Sequence, residues 1–559
     1  MDFAFCIDWR LRILYRYRTT KAYIPKNQSI KKNCIFSRIS YIWVLAVTIS
    51  EKPQQIAENR RMDYDLENLR KYFDYISEQK NENFISDETS QDLELEFVFI
   101  KLDSTFSKIG KQYFYSKFRT FENSENEFEE YKNHFTKNEN DKHFVIKQLS
   151  NINNKKDFEI IDLLREEIST NEKYYKYAQF SIISVFLIVI CSFFVQKVLL
   201  ILIPFFVGNL IVHYLNKNYV DYYNGIIFRL QNSLAIAKKV SKITALKTQY
   251  EKINLTKIEK NIRFANFESA IVTNEYLSVL WILTEIFRVA FVLEIFSFRK
   301  KVKILKSSKS ELLKVFEFIG KVDTSITLLN IQEKYKTCKP NFVNNKQFNF
   351  QNIYHPFIEN CVKNSLELDN KSIIITGSNM SGKTSFMRNI AINVLFAQNF
   401  GFCFADSFSA PKMKIFSSIS IHDDTSENKS YYLEEVLRIK TFLEDRNDFA
   451  LILIDEIFKG TNTKERIAIS KAVLENLNNE KNIVFVTTHD LEIAQFLKNK
   501  NYELYYFDEE VDKNHLSFPY KLKLGINNKT NAIKILEMYN YSEKIIENAK
   551  KLVENNGYS

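Results

Sequence analysis

A glycine-rich loop with the spacing G-x-x-x-x-G-K-[ST] runs from Gly377 to Thr384. It follows the apolar run SIIIT and precedes a helical pattern over 384–398, the context in which such a loop directs backbone N–H groups at phosphate oxygens. We expect Lys383 to reach the outer phosphates of a nucleoside triphosphate and the Thr384 hydroxyl to bind Mg²⁺. The residues predicted to bind ATP are Gly377, Ser378, Asn379, Met380, Ser381, Gly382, Lys383, Thr384 and Ser385.

Polar side chains end two further apolar runs. LILIDE ends in Asp455 and Glu456, and IVFVTT is followed by His489. The carboxyl ends of parallel strands meet at one edge of a sheet, so these residues are expected to converge on the loop. Asp455 is predicted to hold Mg²⁺ with Thr384, and Glu456 to orient or deprotonate the attacking water. His489 would contact the γ-phosphate or the water, the alternative being a structural histidine. Catalytic roles are predicted for Glu456, His489 and Lys383.

The elements that must position these residues follow from the apolar pattern. After Pro340, short apolar runs alternate with helical patterns such as 384–398 and 464–478, which is typical of an α/β protein with a parallel sheet. Residues 62–339 contain one proline and four glycines, with Leu, Ile and Phe at three- and four-residue steps, which predicts helices. The predicted organisation is a helical core or lever over 62–172 and 218–345, and an ATPase domain over 346–559.

Two apolar runs, 178–195 and 198–212, interrupt the helical region. Each is close to the roughly 20 residues that a membrane span needs, and tyrosines and lysines flank them. We predict a transmembrane hairpin over 173–217 that contacts the membrane through 178–212, with the ATPase domain facing the cytoplasm. The alternative is a buried helical hairpin in a cytoplasmic protein. The stretch 279–298 carries three charged residues and is expected to pack in a core or coil.

Positive charge is concentrated at the start of the chain. The net charge is +10, and residues 1–61 hold twelve Lys or Arg against four acidic residues, which leaves the rest of the chain nearly neutral. No sustained basic stripe for nucleic acid remains outside this segment. We expect 1–61 to be a basic extension outside the fold, with Met62 as the natural start. The six cysteines and seven histidines show neither a disulfide framework nor metal-ligand spacing.

Four motifs together resemble the MutS mismatch-repair ATPase family. TGSNMSGKTS is similar to the family's phosphate loop, of which the pair Asn379 and Met380 is a hallmark. HDDTSENKSYYLEE (422–435) resembles its signature segment, DEIFKGTNTKE (455–465) its acidic strand end, and TTHD (487–490) its switch. Weaker similarities lie at 102–119, 319–330, 355–357 with Asn364, and 521–533.

The resemblance implies a P-loop NTPase fold with an ABC-type ATPase head, hydrolysing ATP with Mg²⁺. It implies a homodimer in which Ser430 reaches the γ-phosphate of the partner subunit, and action on DNA. This sequence departs from the family in having Asn428 where the signature has glycine, no room after Met62 for a mismatch-reading domain, and an apolar hairpin. Three alternatives remain: a membrane-anchored ABC-type ATPase without a DNA role, an ATP-driven transport half-subunit, and a DNA clamp without membrane contact.

Overall fold

The computed structural model describes most of the chain after residue 64. The described residues are 65–79, 84–121, 126–243, 246–247, 250, 288–378, 380–419, 431–444, 448–459, 461–512, 515–526, 532–539 and 541–555. They all belong to one compact unit, Tyr64–Ser559. The predicted extension 1–61 lies outside them and stays a prediction. Of the stretch 279–298, residues 288–298 are described, and Val292, Ile295 and Phe298 are buried there, as expected for packing in a core.

The first part of the described chain is helical, as its pattern predicts. Its helices are α1 (Leu66–Gln79), α2 (Asp87–Asp92), α3 (Leu95–Leu102), α4 (Lys108–Lys117), α5 (Glu129–Lys137), α6 (Glu139–Leu149) and α7 (Asp162–Arg165). Two 3₁₀ segments, Ser150–Ile152 and Lys155–Ile161, lie between α6 and α7. Helices begin where capping side chains satisfy free N–H groups: Ser107, for example, accepts a hydrogen bond from Gly110 N at the start of α4.

A long helical pair follows. α8 (Glu172–Ser192) leads through a 3₁₀ turn, Gln196–Ile201, into α9 (Leu202–Val240). Both helices are long and apolar enough to cross a membrane, and only 17% of the most apolar window of each is buried. The second helix does not end near 217. It continues to Val240, and its last turns join the main core through Ile236 and Ala237.

Two more helices, α10 (Leu293–Ser307) and α11 (Lys309–Lys334), return the chain to the ATPase region. α11 packs closely on α4. A Cβ at Gly110 would lie 2.0 Å from Asp323 Oδ2, and one at Gly320 would lie 2.3 Å from Tyr113 Cγ. The buried Asp323 accepts hydrogen bonds from Phe106 N at 2.9 Å and Ser107 N at 2.8 Å. Two of the weakly family-like segments, 102–119 and 319–330, therefore contact each other.

The C-terminal region is built on a six-stranded sheet. In chain order the strands of this region are β1 (Asn341–Phe342), β2 (Gln347–Ile353), β3 (Asn364–Asp369), β4 (Ser372–Thr376), β5 (Ser407–Ala410), β6 (Lys414–Ser418), β7 (Ala450–Asp455), β8 (Asn482–Thr487), β9 (Tyr502–Phe507), β10 (Glu510–Asp512), β11 (His515–Ser517) and β12 (Leu522–Leu524). The six-stranded sheet has the order β12-β9-β4-β8-β7-β6; its strands are parallel except for β12 at one edge. The predicted parallel strands SIIIT, LILID and IVFVT are confirmed as β4, β7 and β8.

Helices cover both faces of this sheet. They are α12 (Lys383–Phe400), α13 (Tyr431–Glu444), α14 (Thr463–Leu477) and α15 (Leu491–Lys498), followed by the C-terminal α16 (Ala532–Met538) and α17 (Glu543–Asn555). Alternate residues of β4 enter different clusters: Ile373 and Ile375 pack with α12, and Ile374 packs with α14 and α15. The helices predicted at 384–398 and 464–478 are confirmed.

A second sheet, not predicted from the pattern, covers α12. Its order is β1-β5-β2-β3, and β2 is antiparallel to both its neighbours. α12 is consequently buried on nearly all sides. Phenylalanine rings join it to the helical core, with centroids 5.5 Å apart for Phe118 and Phe396 and 5.6 Å apart for Phe114 and Phe400. The helix that starts at the glycine-rich loop is thus packed directly against the helical region.

Candidate active site

Three strand ends meet at one edge of the six-stranded sheet. β8 lies between β4 and β7, and Thr487 is in register with Ile375 on one side and Asp455 on the other. The glycine-rich loop, the pair Asp455 and Glu456, and the segment leading to His489 therefore leave the sheet side by side. The convergence expected from the apolar runs is what the structure contains.

The loop between β4 and α12 uses backbone conformations that favour glycine. Gly377 has φ +143° and Gly382 has φ +97°. A Cβ at Gly377 would lie 2.8 Å from the carbonyl oxygen of Phe507, and one at Gly382 would lie 2.8 Å from the Tyr520 ring. Met380 also has a positive φ, +74°, and its side chain is 78% exposed. The loop thus has no room for larger residues at its two glycines.

Lys383 folds back over the loop. Its Nζ donates to the carbonyl oxygens of Gly377 and Ser378, each at 2.8 Å. The side chain is 5% exposed, and burial lowers the pKa of its ammonium group. Ser381 Oγ donates to Ser378 O at 2.8 Å, whereas Ser378 Oγ is buried and has no hydrogen-bond partner in the described part of the chain. A buried lysine and an unpaired hydroxyl fit an anion with several oxygens, such as a phosphate chain.

Oxygen ligands of the kind that Mg²⁺ prefers lie beside the lysine. Thr384 Oγ1 donates to Asp455 Oδ2 at 2.6 Å, and Thr487 Oγ1 donates to the other carboxylate oxygen of Asp455. Within the described residues no cluster of three or more His, Cys, Asp or Glu could hold a metal. One carboxylate and one hydroxyl nevertheless fit Mg²⁺, which keeps several waters and takes its remaining ligands from substrate phosphates.

Glu456 is held between His489 and Lys459. His489 Nε2 lies 2.8 Å from Glu456 Oε1, and Lys459 Nζ lies 3.0 Å from Glu456 Oε2. The hydrogen bond with His489, followed by that with Lys459, lowers the pKa of Glu456 to about 2 despite its partial burial. Glu456 has φ +57°, a strained conformation for a glutamate, and its N–H donates to Thr487 O at 3.2 Å. The side chain is therefore an ionised carboxylate in a fixed position next to Asp455.

A cavity of about 300 Å³ opens beside the loop. Gly382 and Ser385 line one side of it, and His355 and Tyr520 line others. Burial lowers the pKa of His355 to about 4, so its imidazole is neutral at physiological pH. Asn364, which also lines the cavity, donates to Tyr520 O at 3.1 Å and accepts from Leu522 N at 2.8 Å. Two of the weakly family-like segments, 355–357 with Asn364 and 521–533, meet at this wall.

The helix α13 is attached to the acidic strand end. Glu435 is 2% exposed, and its Oε1 accepts a hydrogen bond from Phe458 N at 2.5 Å, two residues after Glu456. Its Oε2 is buried without a hydrogen-bond partner among the described residues. Burial raises the pKa of Glu435 to about 7. The end of the signature segment thus contacts the backbone that carries the carboxylates.

One residue of the helical region, Asp92, bonds to three parts of the ATPase region. Asp92, fully buried at the end of α2, accepts hydrogen bonds from Ser417 Oγ at 2.7 Å, Ile419 N at 2.9 Å and Arg438 Nη1 at 2.9 Å. Arg388, on α12, donates through Nε to the Asp92 carbonyl at 2.7 Å. Asp92 therefore contacts β6, α13 and α12, which all lead to or from the site.

The described site contains most of the residues predicted for it. Ser385 is exposed at the cavity wall rather than at the loop itself. Asn379, Ser430 and the segment 422–430 lie outside the described residues. Residues not predicted are Thr487, Lys459, His355 and Asp92. Thr487 belongs to the TTHD motif and Lys459 to DEIFKGTNTKE, so the motifs could have indicated both residues. Asp92 lies in a segment without any chemical motif.

Comparison with known proteins identifies the family of the C-terminal region. Residues 373–556 match the family model for MutS domain V. This part of the chain belongs to the MutS family. Proteins named DNA mismatch repair protein MutS are similar to it: that of Pseudothermotoga lettingae is 30% identical over 264 residues, 45% of this chain and 32% of the relative.

Two further MutS proteins match the same part of the chain. The protein of Acholeplasma laidlawii is 29% identical over 44% of this chain and 30% of its own length. The protein of Methanosarcina barkeri is 27% identical over 47% of this chain and 31% of its own length. The matches thus span about a third of each curated relative.

Proposed function

We propose that this MutS-family chain is an ATPase with a P-loop NTPase fold of the ABC type, converting ATP and water to ADP and phosphate. The observation that supports this most is the meeting of Lys383, Asp455 and Glu456 at three neighbouring strand ends. The phosphates replace the carbonyl oxygens of Gly377 and Ser378 as acceptors of the Lys383 ammonium group. Thr384 and Asp455 would hold Mg²⁺, which would neutralise phosphate charge when bound.

Glu456 and His489 act on the attacking water in this proposal. A carboxylate with a lowered pKa stays ionised and accepts a hydrogen bond from water, orienting it toward the γ-phosphate. His489, which contacts Glu456, fixes the carboxylate and reaches toward the γ-phosphate. The cavity lined by His355 and Tyr520 has room for the nucleobase beside the loop.

The test is the turnover of Glu456→Gln in the full chain. We expect ATP binding to persist and turnover to fall by about 10²- to 10⁴-fold, the contribution of a positioned base. Glu475→Gln is the matched control, because Glu475 also pairs with a lysine, Lys500, but on an exposed helix. Turnover of Glu456→Gln at the parent rate would contradict the proposed role.

We further propose that two copies form a homodimer with composite sites, as the family resemblance implies. Ser430 of each copy then completes the site of the other. Lys383→Ala and Ser430→Arg proteins, each inactive alone, are expected to regain turnover when mixed, since one of the two sites in the mixed dimer has both native residues. No recovery on mixing, with both proteins folded, would contradict a shared site.

Action on DNA is the proposed use of the ATP cycle, supported by the similarity to proteins named DNA mismatch repair protein MutS. ATP turnover is expected to rise with duplex, mismatched or branched DNA and to lose this stimulation as salt increases. Turnover that is indifferent to all three substrates at low salt would favour the ABC-type ATPase without a DNA role. Drug or solute uptake into vesicles would instead favour the transport half-subunit.

The hairpin supports a membrane-anchored protein as a further proposal. Its outer surface is apolar: Phe186 is 67% exposed, Phe193 84% and Phe194 86%. Two of its polar side chains face inward: Ser181 Oγ donates to Asn209 Oδ1 at 2.7 Å, and Asn209 Nδ2 donates to Ala290 O at 2.6 Å. Lipid favours this arrangement, with apolar side chains on the outside and polar side chains on the inside, whereas water favours the opposite.

Residues at the base of the hairpin agree with an inserted position. His213 Nδ1 pairs with Glu294 Oε2 at 2.8 Å, and Arg299 lies 3.9 Å from the centroid of the Tyr175 ring. Aromatic rings and cations are common at the level of the lipid headgroups. We propose that 178–212 inserts from the cytoplasmic side of the membrane, with the ATPase domain in the cytoplasm.

Cys191, exposed on α8 near the tip, is a natural probe of this proposal. In sealed vesicles a water-soluble maleimide is expected to leave Cys191 unlabelled until detergent is added. Extraction of the chain from membranes by alkaline carbonate, together with rapid labelling of Cys191, would contradict insertion and favour the cytoplasmic alternative.

A further inference from the structure

Two thiols that are 65 positions apart in the sequence face each other at the junction between the helical and ATPase regions. Cys338 Sγ lies 3.4 Å from Cys403 Sγ. Cys338 follows α11 and precedes β1, whereas Cys403 follows α12, the helix that begins at the glycine-rich loop. The pair therefore connects the end of one long helix of the core with the end of the phosphate-loop helix.

The backbone holds the two cysteines as directly opposed partners. Cys338 N donates to Cys403 O at 2.9 Å, and Cys403 N donates to Cys338 O at 3.0 Å, which makes an antiparallel bridge of one residue pair. Opposed residues of this kind have Cα atoms about 5.5 Å apart. That separation lies within the range of about 4.4–6.8 Å found for disulfides. The two sulfurs, now 3.4 Å apart, would approach to about 2.05 Å on forming a disulfide.

The surroundings give the two thiols different roles. Cys403 is fully buried, and Cys338 is partly accessible to solvent. The hydrogen bond from the Cys403 thiol lowers the pKa of Cys338, while the same contact and burial raise the pKa of Cys403. Thiolate character and access to solvent favour Cys338 as the thiol that attacks an oxidant. Cys403 is then in position to form a disulfide with the oxidised Cys338.

We propose that Cys338 and Cys403 are an oxidation site at which a peroxide forms a disulfide between the ends of α11 and α12. The Cys338 thiolate attacks one peroxide oxygen, breaks the O–O bond and becomes a sulfenic acid, releasing one water after proton transfer. Cys403 sulfur then attacks Cys338 sulfur and expels hydroxide, which takes the Cys403 proton and leaves as a second water. Two thiols and one hydrogen peroxide thus give one disulfide and two waters.

The disulfide fixes the junction through which α11 enters the ATPase region. Tyr335 and Phe404, the neighbours of the two cysteines, already pack with ring centroids 5.7 Å apart. A covalent link here restrains the unfolded chain and resists separation of the two regions. The proposal does not depend on the nucleotide chemistry, because it concerns only the two thiols and their backbone bridge.

The test uses the full chain, treated with hydrogen peroxide, blocked with N-ethylmaleimide and digested without reduction. Mass spectrometry is expected to find a peptide pair joined through Cys338 and Cys403, with Cys361 alkylated as the half-buried control. The oxidised protein should melt several degrees higher than the reduced protein, and dithiothreitol should reverse the shift. Cys338→Ser should show neither the linked peptides nor the reversible shift.

Two outcomes would overturn the proposal. One is alkylation of both cysteines after peroxide treatment that oxidises small thiols in the same solution. The other is a disulfide that joins Cys338 or Cys403 to a different cysteine while the 338–403 peptide is absent. A melting shift of equal size in peroxide-treated Cys338→Ser would likewise assign the stabilisation to another site.

Discussion

The strand edge of the ATPase region and the apolar hairpin both bury polar side chains, but they do so differently. At the strand edge, Lys383 is bonded to loop carbonyls and Ser378 Oγ has no hydrogen-bond partner among the described residues, so arriving phosphates find donors to exchange. In the hairpin, Ser181 and Asn209 bond to each other inside a shell of exposed apolar side chains. The first arrangement suits a site that changes partners during a cycle, and the second suits helices that stay together in lipid.

The largest expected effect separates the two regions. Asp455→Asn removes the negative charge that faces Thr384 and is expected to lower ATP turnover by about 10³-fold, as for loss of a key electrostatic group. Membrane fractionation should not change, because Asp455 lies on β7, away from the hairpin. Asp448→Asn is the control: this exposed residue lies just before the same strand. Loss of membrane association together with turnover would show that the regions are not independent.

A pH effect is expected at the contact between α13 and the acidic strand end. Burial raises the pKa of Glu435 to about 7 in the folded protein, above the usual 4.5. Between those pH values the folded chain binds more protons than the unfolded chain, so the free energy of unfolding falls as pH rises through this window.

Glu435→Gln should remove this dependence, which amounts to at most about 3 kcal/mol. Melting temperatures of the parent and the variant, measured from pH 4.5 to 7.5 in detergent, provide the comparison. The variant should lose less stability than the parent on going from pH 5 to pH 7. Parallel curves for the two proteins would show that folding does not raise the pKa of Glu435.

A smaller effect tests the polar interior of the hairpin. Asn209→Leu leaves the buried Ser181 hydroxyl without its acceptor and should destabilise the helical pair by about 1–3 kcal/mol. Ile211→Asn is the matched variant, since Ile211 is 54% exposed two positions later. In lipid it should weaken membrane association, whereas a hairpin exposed to water would tolerate it. Equal tolerance of both substitutions in membranes would contradict the proposed inside-out packing.

More of the strand-edge site than of any other region could be predicted from the sequence. Runs of Ile, Leu and Val bounded by turn residues mark β4, β7 and β8, and parallel strands must end at a common edge, so Asp455 and Glu456 could be placed without coordinates. The hairpin was also visible, because 33 largely apolar positions exceed any ordinary core helix. In both regions the signal was local in the chain.

What could not be predicted depends on contacts between distant segments. Asp92 bonds to Ser417, 325 positions later, and Asn209 bonds to the backbone of Ala290, 81 positions later. No pattern within either segment records such a partner. The sheet formed by β1, β5, β2 and β3 could not be predicted for the same reason. Its short strands lie before and after the phosphate-loop helix in the sequence, and they lack a continuous apolar run.

A structure of the full chain with a non-hydrolysable ATP analogue and Mg²⁺ tests the central claim most directly. The account predicts the triphosphate against residues 377–384, Lys383 Nζ moved from the carbonyls of Gly377 and Ser378 to phosphate oxygens, and Mg²⁺ beside Thr384 and Asp455. A loop without nucleotide at saturating analogue, with Lys383 still bonded to those two carbonyls, would contradict it.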